Sequence, residues 1–272
     1  MTNNSSAPDK EDAVAGFARW GYASRGVVYV IIGSLAALAA LGQGGETTDS
    51  QGALEWILAA PLGKILLGLM ALGLLGYAMW RCIQALKDTD DHGHDASGLA
   101  VRAGLLVSAI THTLLALSAA NLIFNIVGPS GDSDGGSQGI SAWLMQQPFG
   151  RWMVGAVGLV LIGVGFAHAR KGLKTQFHRH FSMPKNVEYW AYPVCRFGLV
   201  ARGVVFTMIG AFFLIAAYQF DADQAGGLSE VFNTLREQPF GPWLLGFMAL
   251  GLIAFGIYSL MQAVYRTINP SS

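Results

Sequence analysis

The sequence predicts an all-α, polytopic integral membrane protein: six transmembrane helices in three parallel-repeat hairpins. Three observations carry that prediction. Charged residues are only 12% of the 272 and hydrophobic ones 53%, a balance foreign to soluble domains. The charges gather in short polar islands and leave six apolar stretches, roughly 20–41, 63–85, 102–126, 150–171, 196–219 and 241–263. Each has the about 20 residues that a helix needs to cross about 30 Å of hydrocarbon. Finally, two short patterns recur in the same order three times. One is an Arg-x-Gly opening, at Arg19-Trp20-Gly21, Arg102-Ala103-Gly104 and Arg196-Phe197-Gly198. The other is a Pro-x-Gly return turn, at Pro61-Leu62-Gly63, Pro148-Phe149-Gly150 and Pro239-Phe240-Gly241. A closed β-barrel would alternate apolar and polar residues in shorter segments, and these runs are continuously apolar.

Taken in order, residues 1–16 are polar and too weakly hydrophobic to bury, and read as a flexible cytoplasmic tail. Repeat 1 covers 17–88, an acidic cytoplasmic loop 89–98, repeat 2 99–176, a basic cytoplasmic loop 177–192, and repeat 3 193–268. Arg19 and Arg25 before an apolar run resemble a secretory signal. The same opening at Arg102 and Arg196, deep in the chain, makes the first copy structural. Between the helices of each repeat sits a short segment with apolar residues, such as Ala53 to Ala59, Trp143-Leu144 and Val231-Phe232, and the first of them, amphipathic and carrying Trp56, is expected to lie flat at the headgroups. The proline of each return turn suits the first helical position, where its missing N–H has no partner to lose. Two helices per repeat keep all three units in one orientation, related by an axis along the membrane normal.

Lys and Arg concentrate on one side. All but Lys64, Arg151 and Arg236 fall in the amino-terminal segment, the connections 86–101 and 171–195, the carboxyl end and the helix ends beside them. Positive charge resists translocation, so both termini are expected in the cytoplasm of a bacterial inner (plasma) membrane. Cys82 and Cys195 then lie at cytoplasmic helix ends, where a disulfide is not expected.

Inside the helices a period of seven appears. Arg19, Gly26, Gly33 and Ala40 form one stripe; Arg196, Gly203, Gly210 and Ala217 form its counterpart; Arg102, Ala109, Ala116 and Ile123 form the looser middle copy. Small residues at this spacing let helix backbones approach, because helices associate in lipid by packing. The stripes read as the seam joining the repeats. These repeats resemble the bacterial membrane family catalogued as domain of unknown function 1206, over about residues 17–268. The resemblance implies an integral membrane protein with three tandem repeats; no activity or site residue comes with it. The middle unit departs at Ser108, where the others carry Arg25 and Arg202.

The sequence holds no nucleophile elbow, zinc-protease pattern or phosphate loop, and no Asp or Glu inside an apolar run. No enzymatic activity, cofactor or metal is expected. His92-x-His94 and His178-x-His180 lack the ligand set of a zinc site and read as solvated loop residues. His112 and His168 lie within apolar runs and read as packed, hydrogen-bonded side chains, with a proton relay as the alternative. Zero net charge argues against nucleic acid; membrane lipids are the expected partners. Arg19, Arg25, Arg102, Arg196 and Arg202 are the candidate contacts for an anionic lipid or small anion on the cytoplasmic side of a structural or regulatory membrane component. The alternative is a small-solute transporter or channel with a path along the pseudo-threefold axis.

Overall fold

The computed structural model describes residues 6–45, 47–125, 135–174 and 181–269. Among them the chain forms nine α-helices and a 3-10 turn, with no strand. Six helices are long and apolar enough to span a membrane: α1 (Ser6–Ala40), α3 (Gly63–Lys87), α4 (Ala96–Phe124), α6 (Gly150–Leu173), α7 (Lys185–Gln219) and α9 (Gly241–Tyr265). Three short ones, α2 (Ser50–Ala59), α5 (Gly135–Met145) and α8 (Leu228–Glu237), lie between the helices of the three hairpins. Six crossings place both ends of the chain on one side, called here the terminal side, and the three short helices on the far side.

Two helices start earlier than their apolar runs. The tail expected over 1–16 is helical from Ser6, and α7 takes residues 185–192 out of the expected basic loop. Hydropathy marks where a helix enters lipid, whereas a helix continues through polar sequence until something stops it. Pro184 stands at the N-cap of α7, and Pro193 lies inside the helix, where it removes one backbone donor. Residues 177–180 of that loop, with His178 and His180, lie outside the described residues.

The return turns correct the role expected of their prolines. Leu62, Phe149 and Phe240 adopt left-handed conformations, with φ of 61°, 63° and 64°, and the amides of Gly63, Gly150 and Gly241 reach back to the carbonyls of Ala60, Gln147 and Gln238 at 2.8, 2.9 and 2.8 Å. That is a type II turn with proline at its second position, where a φ near −65° is required. Pro61, Pro148 and Pro239 thus precede the N-cap and are not the first helical residue. The glycine follows because the turn folds tightly onto the preceding short helix. A methyl at Gly150 would fall 2.1 Å from the Leu144 carbonyl. The three left-handed residues point large apolar side chains outward, more than 70% exposed in each case, as suits a lipid-facing corner.

α2 does not simply lie flat. Ala53, Leu54 and Ile57 are buried while Trp56 is half exposed, and the helix packs on α1, α3 and α4. Phe232 of α8 is likewise sealed. Both short helices fill the far-side mouth of the assembly, joining one core with Ile32, Leu67, Leu245 and Leu252.

The long helices pack in the order α4, α3, α1, α9, α7, α6. The most extensive packing joins different repeats. A methyl at Gly33 would lie 2.8 Å from the Ala249 carbonyl and one at Gly26 3.0 Å from the Gly256 carbonyl, both on α9. On the other flank, methyls at Gly203 and Gly210 would lie 2.7 Å from the carbonyls of Gly165 and Gly158 on α6. Each stripe therefore meets a second stripe of small residues on the return helix of another unit. The pattern is cyclic: Gly68 faces Ile123, Gly155 faces Ala217 and Gly246 faces Ala40.

The cycle is broken at one place, between the two helices of the middle repeat. Gly21 abuts the Tyr77 backbone of α3 and Gly198 the Phe255 backbone of α9, a methyl on either falling 2.4 Å from a backbone nitrogen. Gly104, at the same point of the middle unit, meets nothing within 4 Å, and neither does Gly163 on α6. α4 and α6 barely touch, and their apolar windows are only 17% buried against 44–56% in the other four.

Gly33→Leu and Gly210→Leu are expected to destabilise the protein by about 1–3 kcal/mol through overpacking, read as a lower melting temperature in detergent. Gly104→Leu and Gly163→Leu should melt like the parent. Equal losses at all four positions would contradict the seams and the opening alike.

Candidate functional site

The arginines of the Arg-x-Gly openings serve the helix ends beside them. Arg19 donates to the carbonyls of Ala263 and Val264 at 2.9 and 2.7 Å, at the end of α9. Arg102 donates to the carbonyls of Ala85 and Leu86 at 2.7 and 3.2 Å, at the end of α3. The last carbonyls of a helix lack intrahelical donors and carry the negative end of its dipole. These two cations clamp one repeat to the next. Arg196, at the equivalent position of α7, is exposed.

Arg25 is buried, 5% exposed, and fully engaged. Its Nε and Nη2 donate to Ser259 Oγ at 3.1 and 2.9 Å, Nη2 also to Gln262 Oε1 at 2.8 Å, and Nη1 to the Tyr77 hydroxyl. The same Tyr77 oxygen accepts from Arg81 Nε at 2.7 Å, and Arg81 Nη1 donates to Gln84 Oε1 at 2.9 Å. Gln84 Nε2 then donates to Asp90 at 2.7 Å, and Asp90 accepts from Arg266 Nη2 at 2.8 Å. One chain of polar contacts thus ties α1, α3, α9, the acidic loop and the carboxyl end across the terminal side of the ring. The rings of Tyr22 and Tyr77 receive the guanidiniums of Arg25 and Arg81 on their faces, which offsets part of their lost hydration.

The acidic loop is shaped to deliver Asp90. Asp88 accepts the amides of His92 and Gly93 at 2.9 and 2.8 Å, and those bonds hold its carboxyl below the ordinary carboxylate range. Asp95 caps α4 by accepting the Gly98 amide at 2.8 Å, which lowers its carboxyl in the same way. Asp90 pairs with an Arg266 that is 4% exposed.

Arg202 has the opposite fate from Arg25. It is 9% exposed, its guanidinium lies 4.2, 4.8 and 5.0 Å from the rings of Phe255, Tyr29 and Phe206, and its Nε and Nη1 are buried with no hydrogen-bond acceptor. It lines a cavity of about 170 Å³. The other walls are Tyr29, Val205, Phe206, Ile209 and Leu252 from the long helices, with Asp49, Ser50 and Leu228 from the far-side segments. Asp49 accepts the amides of Gln51 and Gly52 at the opening of α2.

The repeats explain the difference. Twenty and twenty-three residues beyond the return prolines stand Arg81 and Gln84, His168 and Lys171, and Ser259 and Gln262. Arg25 packs against the third pair and finds two neutral acceptors. The second pair, an imidazole and a lysine, stands on α6, which packs on α7, and His168 and Arg202 both lie against Phe206. His168 donates from Nδ1 to the Val164 carbonyl at 3.0 Å and packs on Phe206, ring centres 5.5 Å apart. His112 donates from Nδ1 to the Ser108 carbonyl at 2.7 Å and packs on Tyr77 at 4.5 Å. Tyr77, Arg81, Gln84, Asp90 and Arg266 were not singled out from the sequence. For Arg81 and Gln84 the signal was this shared distance from the prolines.

The molecule is thus a ring-like six-span membrane protein of three repeats with a cationic interior. The sequence signature of the family described as Domain of Unknown Function (DUF1206) matches three times, at residues 20–88, 103–175 and 197–266, and the chain belongs to that family. It is similar to the uncharacterized protein YxxB of Bacillus subtilis (strain 168), 35% identical over 255 residues that cover 92% of this chain and 90% of that protein. No solved structure matches.

Arg25→Met would strip Ser259 and Gln262 of their donor, while Tyr77 keeps Arg81, and is expected to cost about 3 kcal/mol, since polar groups left buried without partners are penalised at about 1–3 kcal/mol each. Arg202→Met gives up no hydrogen bond and should be neutral or stabilising, as replacement of a buried ion by an apolar side chain often is. Melting of the two variants in one detergent checks the contrast.

Proposed function

We propose that the protein binds a small anion in the cavity at Arg202. The reading rests on one observation: a buried guanidinium with two unpaired nitrogens lining an open space. A buried charge without a partner is costly, and a group kept at such a cost at the edge of a cavity is accounted for by a ligand. The guanidinium fork suits a carboxylate or another oxyanion. At about 30 Å³ per water, the about 170 Å³ cavity takes a molecule of a few heavy atoms and not a whole lipid headgroup. Arg25 and Arg19 are spent on protein acceptors, and Arg102, though its Nη1 is also unpaired, is held by the Ala85 and Leu86 carbonyls and lines no part of this cavity. The reading includes no catalytic step.

Transport of that anion is the second reading. It is supported by a cavity that runs from the far-side residues Asp49 and Ser50 to Arg202, while the Arg25 to Arg266 network closes the terminal side. Orientation follows the distribution of Lys and Arg, with the termini in the cytoplasm of a bacterial inner membrane. A cysteine placed at exposed Ser97, in a variant lacking Cys82 and Cys195, should react with an impermeant maleimide only after the cells are permeabilised.

Acetate, chloride and phosphate titrated against the purified protein test the site. Acetate is expected to raise the melting temperature in a saturable manner, and Arg202→Gln to abolish the rise. Either an absence of effect from all three anions or an undiminished effect in Arg202→Gln defeats the proposal. Uptake of labelled acetate into proteoliposomes, lost in Arg202→Gln, separates transport from binding alone.

A further inference from the structure

We infer that the ligand of the Arg202 cavity is a small zwitterion, an amino acid or a related molecule that carries a carboxylate and an ammonium on one short carbon chain. The inference rests on the anion reading of Arg202 and names the class of molecule that the whole cavity wall fits.

Arg202 shares that wall with a second charge. Asp49 lines the same cavity of about 170 Å³, so the wall holds one guanidinium and one carboxylate and its formal charges cancel. Opposite charges in a poorly solvated space attract strongly. These two stay apart: Nε and Nη1 of Arg202 have no acceptor, and its guanidinium lies on the rings of Phe255, Tyr29 and Phe206 instead.

They are separated because different parts of the fold hold them. Arg202 belongs to α7, packed among the long helices. Asp49 stands at the N-cap of α2, in an extended conformation, and its Oδ1 accepts the amides of Gln51 and Gly52 at 2.8 and 3.2 Å. That is the positive end of a helix, where a carboxylate is favoured. A carboxylate offers about four acceptor sites, so an ammonium adds to the cap and does not displace it.

The pair of charges selects the ligand. A bare anion is attracted by Arg202 and repelled by Asp49, and it leaves the site with a net negative charge. A bare cation meets the reverse. A zwitterion lying along the cavity places its carboxylate on the guanidinium fork and turns its ammonium towards Asp49, and the filled site stays neutral. Size agrees as well. At about 30 Å³ per water, the about 170 Å³ cavity takes about five or six groups of that size, the scale of glycine or β-alanine. No covalent bond forms or breaks.

Glycine, β-alanine and γ-aminobutyrate, which lengthen the chain between the two charges step by step, are compared with acetate and methylamine by titration of the purified protein in detergent at neutral pH. At least one of the three zwitterions is expected to bind about tenfold or more tightly than acetate, and methylamine is expected not to bind. Arg202→Gln should lose both acetate and the zwitterion. Asp49→Asn and Asp49→Ser keep a side chain that caps α2, should melt like the parent without ligand, and should lower the affinity for the zwitterion to that for acetate. Acetate binding that needs Arg202, with no zwitterion bound more tightly, overturns the inference and leaves the anion site standing. So does a preference for the zwitterion that persists in both Asp49 variants. Absence of binding by acetate and by all three zwitterions sinks both together.

Discussion

The approach of helix backbones at glycine is the constraint on which the ring depends. Between helices in a bilayer there is no hydrophobic gain to be had from burying apolar side chains, because lipid is as apolar as leucine. What holds two helices together is the number of atoms brought into van der Waals contact and the carbonyls they approach. Glycines at Gly26, Gly33, Gly203 and Gly210 meet carbonyls of a facing stripe at distances that admit no side chain. Those stripes lie on different repeats, so the protein is held by joints between its repeats as well as by the α1–α3 and α7–α9 contacts within two of them. The middle hairpin can stay open for the same reason: α4 is fastened to α3 and α6 to α7, and neither needs the other.

A second constraint is charge. Arg25, Arg81, Arg202 and Arg266 are drawn into one interior whose carboxylate partner is Asp90. Aromatic faces and neutral amides, not salt bridges, do most of the compensation. Tyr22, Tyr77 and Phe255 each receive more than one guanidinium. The network from Ser259 to Arg266 engages most of the cationic nitrogens on the terminal side, leaving Arg266 Nε unpaired. Arg202, on the other side of the same cluster, has rings but no acceptors.

Much of the fold was legible in the sequence, because hydropathy, the Arg-x-Gly and Pro-x-Gly patterns and the seven-residue stripes are all local or periodic. Less was legible about which stripe meets which. Gly26 and Gly33 announce that a backbone comes close, but only the tertiary arrangement says that it belongs to Ala249 and Gly256. The prolines of the return turns were assigned by the commonest role of proline near a helix start, and the left-handed Leu62, Phe149 and Phe240 show the turn that claims them instead. The five arginines looked alike as anion contacts. Their partners separate them, and those partners come from other repeats: Ala263 and Val264 for Arg19, Ala85 and Leu86 for Arg102, Ser259 and Gln262 for Arg25. The polar residues that complete the network sit at the fringes of apolar runs, where hydropathy treats them as ends of helices.

Repetition also explains why the site is singular. Three equal units would place three guanidiniums around one axis. Two unit charges about 9 Å apart repel by about 2 kcal/mol at an effective dielectric constant of about 20, and a third would add two more such pairs. Ser108 removes the third. The remaining two are set against one Phe255 ring, at 5.2 and 4.2 Å from its centre, and are made unequal by the residues one helix length beyond the return prolines. One meets Ser259 and Gln262 and becomes part of the frame; the other meets aromatic rings and is left with unfilled donors. The two equivalent arginines thus differ in their partners: Arg25 is engaged on all sides, and Arg202 is left with unpaired nitrogens. The open hairpin lies in that same middle unit, so the repeat that departs from the pattern is also the one that carries the groups beside the candidate site.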